Sequence, residues 1–123
     1  MARSTLHRLQ DMHEAITEIY EFVDGMDRAT FLLTPTNDRK TFRAVSASFI
    51  VIGESAKALP EDLTSRHPDV PWRAIAGFRD RVVHEYFRID VDTVWETIES
   101  GELQQLREIV EDEIQELEAG APR

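Results

Sequence analysis

Hydrophobic residues recur at steps of three and four along most of the chain, the spacing that places side chains on one face of an α-helix. One run comprises Leu9, Met12, Ile16, Ile19, Val23 and Met26, and another Phe42, Val45, Phe49, Ile52, Ala56 and Leu59. No stretch shows the alternation of apolar and polar residues that is typical of a half-buried strand. The pattern therefore predicts an all-α fold, an antiparallel bundle of about four to six helices.

Breakers and capping residues predict where the first helices end and begin. Gly25 or the residues just after it end the first helix, and residues 31–35 form an irregular connection. Asn37 or Thr36 is the expected N-cap of the second helix. Pro60 is expected to start a short turn or helix, and the three prolines of residues 60–71 make that segment a connector.

A central helix is predicted from Trp72 to Tyr86 or Phe87, with an apolar face that points into the core. Asp90 or Asp92 caps the helix that follows. The Ser100-Gly101 pair interrupts that helix, and an acidic C-terminal helix is expected over residues 102–118.

Gly53 lies inside the second predicted helix, where glycine costs about 1 kcal/mol relative to alanine. Close approach of another backbone would explain it. Glu54 and Lys57 are three residues apart in the same helix and are predicted to form a surface ion pair.

The length of 123 residues suits one domain over residues 1–123, large enough for a core without disulfides. There are no cysteines, so disulfide scaffolds and thiolate metal sites are excluded. The N-terminal residues contain no apolar run typical of a signal peptide, and no segment is long and apolar enough for a membrane span. We expect a soluble cytoplasmic protein with no membrane partner.

The net charge is −10, but it is distributed unevenly. Residues 1–35 carry −3, residues 36–88 carry +2 and residues 89–123 carry −9. The middle third is thus locally basic and is able to bind a phosphate, although non-specific affinity for nucleic acid should be weak and salt-sensitive.

The central helix concentrates candidate chemistry at Arg79, Asp80, Arg81, His84 and Tyr86. An arginine and a histidine near one phosphate would form a nuclease pair, in which the arginine holds the anion and the histidine moves protons. The five-residue step from Arg79 to His84 is about 140° of helix, so the two converge only through the long arginine side chain, a loosened last turn or a second copy of the chain. In the structural alternative, Arg79 and Asp80 are surface charges, His84 caps the helix and Tyr86 is half-buried.

Three segments of the chain resemble the HepT-like branch of the HEPN superfamily. They are VIGESAKAL at 51–59, HPDVPWRAIAGFRDRVVHEYF at 67–87 and DVDTVWETI at 90–98, in the order found in that family. Arg79, Asp80, His84 and Tyr86 match its R-x4-H-x-Y form with a polar residue after the arginine. The resemblance is strongest within residues 37–98 and implies a dimeric HEPN-type helical bundle.

The resemblance implies a toxin of a type VII-like HepT/MntA toxin–antitoxin pair that cleaves RNA without a metal or cofactor. His84 would act as general base or acid for attack of the 2′-hydroxyl on its own phosphodiester, Arg79 would hold the phosphate, and Asp80 would orient Arg79 or His84. The expected substrate is an RNA such as tRNA or mRNA.

Tyr86 has a separate implied role. In this family an MntA-like minimal nucleotidyltransferase antitoxin transfers AMP to the tyrosine of the motif and thereby inhibits the nuclease. The expected partners are therefore a second copy of the chain, that antitoxin and RNA.

Arg73, Arg81 and Arg88 flank the motif and are possible contacts for RNA phosphates, whereas a solvated charge is the structural alternative for each. His7, His13 and His67 are not spaced as a metal site, and we expect none. A competing hypothesis is a non-catalytic HEPN module that binds the nucleotidyltransferase or a nucleotide.

Overall fold

Every regular element in the described residues is helical. The structure, a computed structural model, describes residues 4–120, except for the side chain of Phe87. The elements are α1 (Thr5–Phe22), α2 (Arg28–Leu32), α3 (Thr34–Asn37), α4 (Arg39–Lys57), α5 (Glu61–Ser65), α6 (Trp72–His84), a 3-10 turn (Tyr86–Arg88), α7 (Val91–Glu99) and α8 (Glu102–Ala119). The predicted all-α fold is confirmed.

The sequence pattern located the five longer helices, α1, α4, α6, α7 and α8, and missed two short ones. Residues 31–35 are not an irregular connection, because α2 and α3 occupy most of residues 28–37. With α5, these one-turn helices raise the number in the described chain to eight, above the four to six expected. Short helices of four or five residues bury few side chains, so they leave little periodicity to detect.

Capping interactions correct one predicted boundary and confirm another. Neither Thr36 nor Asn37 caps α4; the N-cap is Asp38, whose carboxylate accepts hydrogen bonds from the Thr41 backbone N–H (3.3 Å) and hydroxyl (2.7 Å). Asp90 caps α7 as expected.

The core lies where α1 packs against α4 on one side and α8 on the other. Its most deeply buried apolar side chains are Leu9, Met12, Ile16, Ile19, Phe31, Val45, Ile52 and Val110. The periodic positions of the sequence thus form one continuous cluster, to which α7 adds Trp95 by packing its ring against Phe31. Within the described part of the chain, no helix is both long and apolar enough to cross a membrane.

Helices α4 and α6 pack along their lengths and run in opposite directions. Phe42, near the start of α4, contacts Tyr86 just after α6, with ring centroids 5.5 Å apart. Further along α4, Phe49 meets Phe78 at 5.2 Å. Near its end, Gly53 lies against Ile75 and Arg79 of α6. Helix α6 carries Arg79, Asp80 and His84 of the motif, and α4 contacts the fourth residue, Tyr86, through Phe42.

The start of α6 is anchored to α5 and α8. The indole N–H of Trp72 donates to the backbone carbonyls of Thr64 and His67, each at 3.1 Å. The His67 ring in turn hydrogen-bonds to the buried carboxylate of Glu113 on α8 (2.6 Å), which also accepts from Arg66 at 2.7 Å. The hydrogen bond from Arg66, and then that from His67, lowers the pKa of Glu113 and keeps it ionised.

Candidate active site

Arg79 lies at the closest approach of α4 and α6. A Cβ atom added to Gly53 would stand 2.2 Å from the Arg79 Cβ and 3.1 Å from the carbonyl oxygen of Ile75. No other residue type fits at Gly53 without displacing α6, so the predicted close approach is confirmed. The base of the Arg79 side chain is therefore pressed against the α4 backbone.

Two carboxylates hold the guanidinium of Arg79. Its Nη2 and Nε atoms donate to the same Glu54 oxygen at 2.7 and 3.3 Å, and Nη1 donates to Asp80 at 3.0 Å. The hydrogen bond to Glu54, and then that to Asp80, raises the pKa of Arg79, so the side chain stays charged. The predicted Glu54–Lys57 ion pair is wrong, since Glu54 pairs across the helices with Arg79 instead.

His84 is the last residue of α6, and its side chain is exposed. The helix is regular up to this residue and ends where the backbone of Glu85 turns away (φ −131°, ψ 36°). The last turn is therefore not loosened in a way that would bring His84 towards Arg79. Within residues 4–120, no hydrogen bond or ion pair joins the His84 imidazole to Arg79 or Asp80.

Tyr86 follows α6 in the 3-10 turn and is half-buried. Its ring packs on Phe42, and the guanidinium carbon of Arg43 lies 5.3 Å from the ring centroid. A cavity of about 230 Å³ opens beside it, lined by Pro35, Arg39, Phe42, Arg43, Tyr86 and Ile89. One α4–α6 pair thus carries Arg79 at one end and Tyr86 at the other.

Comparison with known proteins identifies the family. The family model "Ribonuclease HepT-like" matches residues 12–113. The chain belongs to the HepT-like ribonuclease family. It is 40% identical over 98 residues to a protein of Thermococcus cleftensis named "Probable ribonuclease HepT", covering 80% of this chain and 86% of the relative. It is 36% identical over 107 residues to a protein of Methanocaldococcus jannaschii whose name gives it as a candidate RNase, covering 85% of each.

A third relative, from Caldanaerobacter subterraneus subsp. tengcongensis, is also named as a candidate RNase. The two are 38% identical over 98 residues, which is 77% of this chain and 84% of the relative. No solved structure gives a significant match. The HepT-like match covers α4 to α7 entirely and therefore includes the whole motif.

The flanking arginines of this HepT-like chain are exposed, as RNA contacts require. Arg73 lies in the first turn of α6 and Arg81 in its last turn. Arg81 and Arg88 lie with Glu85 around a shallow recess at the end of α6. These positions place Arg81 and Arg88 near His84 in sequence and space, and Arg73 at the far end of the helix.

Two of the three histidines outside the motif pair with carboxylates. His13 on α1 hydrogen-bonds to Glu111 on α8 at 2.9 Å, and His67 pairs with Glu113. Across residues 4–120, no three histidine or acidic side chains converge in a group that could hold a metal ion.

Three residues near the motif were not predicted as site residues: Glu54, Arg39 and Arg43. Glu54 stands next to Gly53, whose unusual place inside a helix was the one local signal for this contact. Arg39 and Arg43 looked like ordinary charges on an exposed helix face. Only the packing of Phe42 on Tyr86 reveals that they line a cavity beside the motif.

Proposed function

We propose that this chain is the metal-independent endoribonuclease of a HepT/MntA-type toxin–antitoxin pair. The observation that carries the proposal is the state of Arg79. A guanidinium has five N–H donors, and Glu54 and Asp80 occupy three of them. Two donors remain for a phosphate oxygen, on a side chain whose position is already fixed and which is 27% exposed.

The fixed guanidinium suits transition-state stabilisation. Negative charge grows on the phosphate as a nucleophile adds, and a donor that is already oriented stabilises this charge without reorganising. Asp80 orients Arg79 through their 3.0 Å hydrogen bond, so its role is positioning. Of the two partners expected for Asp80, Arg79 is the one that it contacts.

His84 supplies the proton transfers in the proposed reaction. Its imidazole removes the proton from the ribose 2′-hydroxyl, and the freed oxygen bonds to the adjacent phosphorus. The bond from phosphorus to the 5′-oxygen of the next nucleotide breaks, and that oxygen takes up the proton that the imidazole has received. The products are a 2′,3′-cyclic phosphate and a 5′-hydroxyl, and the need for a 2′-hydroxyl restricts the reaction to RNA.

We propose that the active unit is a homodimer. Within one chain α6 is regular through His84, which therefore projects about 140° away from Arg79. A second copy brings the His84 of one chain towards the Arg79 of the other. Exposed apolar side chains on the two helices favour such a contact: Val83 beside His84 is 43% exposed, and Val51 on α4 is 39% exposed.

Tyr86 is the proposed site of AMPylation by an MntA-like minimal nucleotidyltransferase. Its ring is half-buried at the rim of a cavity lined by Arg39 and Arg43. An attached AMP would add a negative phosphate among these cations and two residues from His84. It would thereby obstruct the path of an RNA strand.

One observation favours a second candidate function, a non-catalytic module that binds a nucleotidyltransferase or a nucleotide. The strongest hydrogen bonds of Arg79 already go to carboxylates, so an incoming phosphate meets two nearby negative charges. On this hypothesis the Arg79 network is purely structural, and His84 has no role in chemistry.

RNA cleavage by the purified, unmodified protein in EDTA tests the two functions. Wild type should cleave and leave 2′,3′-cyclic phosphate ends, whereas His84→Ala should lose at least about 100-fold in rate, since general acid–base catalysis contributes that much. His7→Ala is the matched control, because His7 is also exposed and lies outside the motif. Equal cleavage by wild type and His84→Ala, or none by wild type with Tyr86 shown to be bare, would contradict the proposal.

A further inference from the structure

The cavity beside Tyr86 combines apolar walls with positive charge. Pro35, Phe42, Tyr86 and Ile89 supply aromatic and aliphatic surface. Arg39 and Arg43, one helical turn apart at the start of α4, supply two guanidinium groups on the same side. At about 230 Å³, the space is small enough to select a single small group.

The two arginines of this cavity differ from the three described arginines that lie in ion pairs. Arg28, Arg66 and Arg79 are each paired with a carboxylate. Within the part of the chain that the structure describes, Arg39 and Arg43 form no ion pair and no side-chain hydrogen bond. The nearest carboxylate in sequence, Asp38, is engaged in capping α4 through Thr41.

In a protein with 24 acidic and 14 basic residues, Arg39 and Arg43 stand out because two neighbouring guanidinium groups without an ion pair line one cavity. An anion that binds here gains two forked guanidinium donors and displaces no internal carboxylate. The apolar walls would meanwhile take up a flat or aliphatic group attached to that anion. A nucleotide has this composition, because its phosphate is joined through ribose to a planar base.

We propose that the cavity between α4 and Tyr86 is a binding subsite for one nucleotide of the RNA strand. Arg39 and Arg43 bind its phosphate, and the base or ribose packs against Phe42, Tyr86 and Ile89. This inference rests on the proposed ribonuclease function and deepens it, since it assigns a substrate contact outside the R-x4-H motif.

The subsite lies away from the Arg79 of the same chain and close to the His84 of that chain. Arg43 and Gly53 are ten residues apart on α4, which is about 15 Å of helix. Arg79 lies opposite Gly53, so the subsite is roughly that far from the Arg79 of the same chain. A strand stacked at about 3.4 Å per nucleotide covers this distance in a few nucleotides. Because Tyr86 is two residues from His84, the subsite would position a nucleotide that neighbours the cleaved bond, while Arg39 and Arg43 supply no reacting group.

Binding of fluorescently labelled single-stranded RNA tests the inference without requiring cleavage. All proteins carry His84→Ala so that the RNA stays intact, and affinity is measured by anisotropy over a range of salt concentrations. Arg39→Ala/Arg43→Ala should weaken binding at least about tenfold and make the log–log salt slope shallower by about 0.7 to 1.4, because each lost phosphate contact removes about 0.7. Arg39→Lys/Arg43→Lys should be intermediate, since lysine keeps the charge and loses the fork.

The matched control is Lys40→Ala/Lys57→Ala, which removes the same charge from the same helix at two exposed residues outside the cavity. It should retain wild-type affinity and slope. Circular dichroism and Tm establish equal folding, and Arg39→Gln/Arg43→Gln, which keeps the aliphatic stems, replaces the alanine variant if that loses helix. AMP alone should compete with RNA for wild type and not for the arginine variant.

Each outcome distinguishes the subsite from the nuclease. The subsite is overturned if Arg39→Ala/Arg43→Ala weakens RNA binding no more than Lys40→Ala/Lys57→Ala does, or if it binds RNA like wild type. Either result overturns the subsite even where the protein with His84 intact cleaves RNA. Selective loss of binding in a protein that never cleaves supports the subsite and contradicts the proposed function. If the protein with an intact cavity does not bind RNA, both the subsite and the proposed function are overturned.

Discussion

The two ends of the α4–α6 pair differ in packing and in how their arginines are paired. At the Gly53 end the two backbones touch, the Arg79 guanidinium is held by Glu54 and Asp80, and no room remains for a larger side chain. At the Tyr86 end a cavity lies between α4 and the residues that follow α6, and among residues 4–120 the guanidinium groups of Arg39 and Arg43 have no carboxylate partner.

This difference shows that the same residue type serves two purposes. Close packing and compensating carboxylates fix a side chain in one position, which suits a group that must stabilise developing charge. Uncompensated cations beside an open cavity cost little while they are solvated and gain a partner when an anion arrives.

The largest expected effect comes from adding one methyl group at the fixed end. Gly53→Ala should destabilise the protein by about 1 to 3 kcal/mol, because the new Cβ must push α6 away and overpacking costs that much. Alanine's better helix propensity recovers only about 1 kcal/mol of this. Urea denaturation followed by circular dichroism measures the change in the free energy of unfolding.

The matched control is Gly77→Ala in α6, where an added Cβ would meet nothing within 4 Å. Here helix propensity acts alone, so the protein should gain about 0.5 to 1 kcal/mol. The comparison between the two ends would fail if both substitutions changed stability in the same direction by similar amounts.

A smaller effect is expected from weakening the contact that orients Arg79. Glu54→Gln removes the charge that attracts the guanidinium and retains the size of the side chain. It should lower kcat for RNA cleavage about tenfold, because a reacting group that loses its fixed position loses rate. KM should not rise, since a negative charge near the RNA phosphate is removed as well, and Tm should change little because the pair is exposed.

Glu108→Gln provides the control, since Glu108 is an exposed acid on α8 outside the site. An increase in kcat/KM for Glu54→Gln would mean that Glu54 competes with substrate for Arg79. A large fall in Tm would mean that the pair serves stability.

Much of the fold could be predicted from the sequence, because long helices repeat their apolar residues many times. The bounds of α1, α4, α7 and α8 follow closely from that repetition and from Asp90 and Gly101. The exact cap of α4 did not follow, because Asn37 and Asp38 are adjacent and both are good N-cap residues. Only the hydrogen bonds of Asp38 decide between them.

The contacts of the candidate site were harder to predict, because they join residues far apart in the chain. Glu54 and Arg79 are 25 residues apart, whereas the predicted partner Lys57 was only one helical turn away. Gly53 predicted a close contact, because glycine is unfavourable inside a helix unless another group approaches its backbone. The residues around Gly53 did not show which part of the chain makes that contact. Arg39 and Arg43 gave no local signal at all.

The central claim is that Arg79 and His84 act on one phosphate across two chains. The most direct measurement is RNA cleavage by a mixture of two inactive proteins, Arg79→Ala and His84→Ala, that have been unfolded together and refolded. Random pairing would make about half of the dimers mixed, and each mixed dimer contains one cleft with both residues intact. The mixture should recover about a quarter of wild-type activity, while each variant refolded alone stays inactive.

An inactive mixture, with native mass spectrometry showing that mixed dimers had formed, would contradict the claim. It would mean that Arg79 and His84 must come from the same chain.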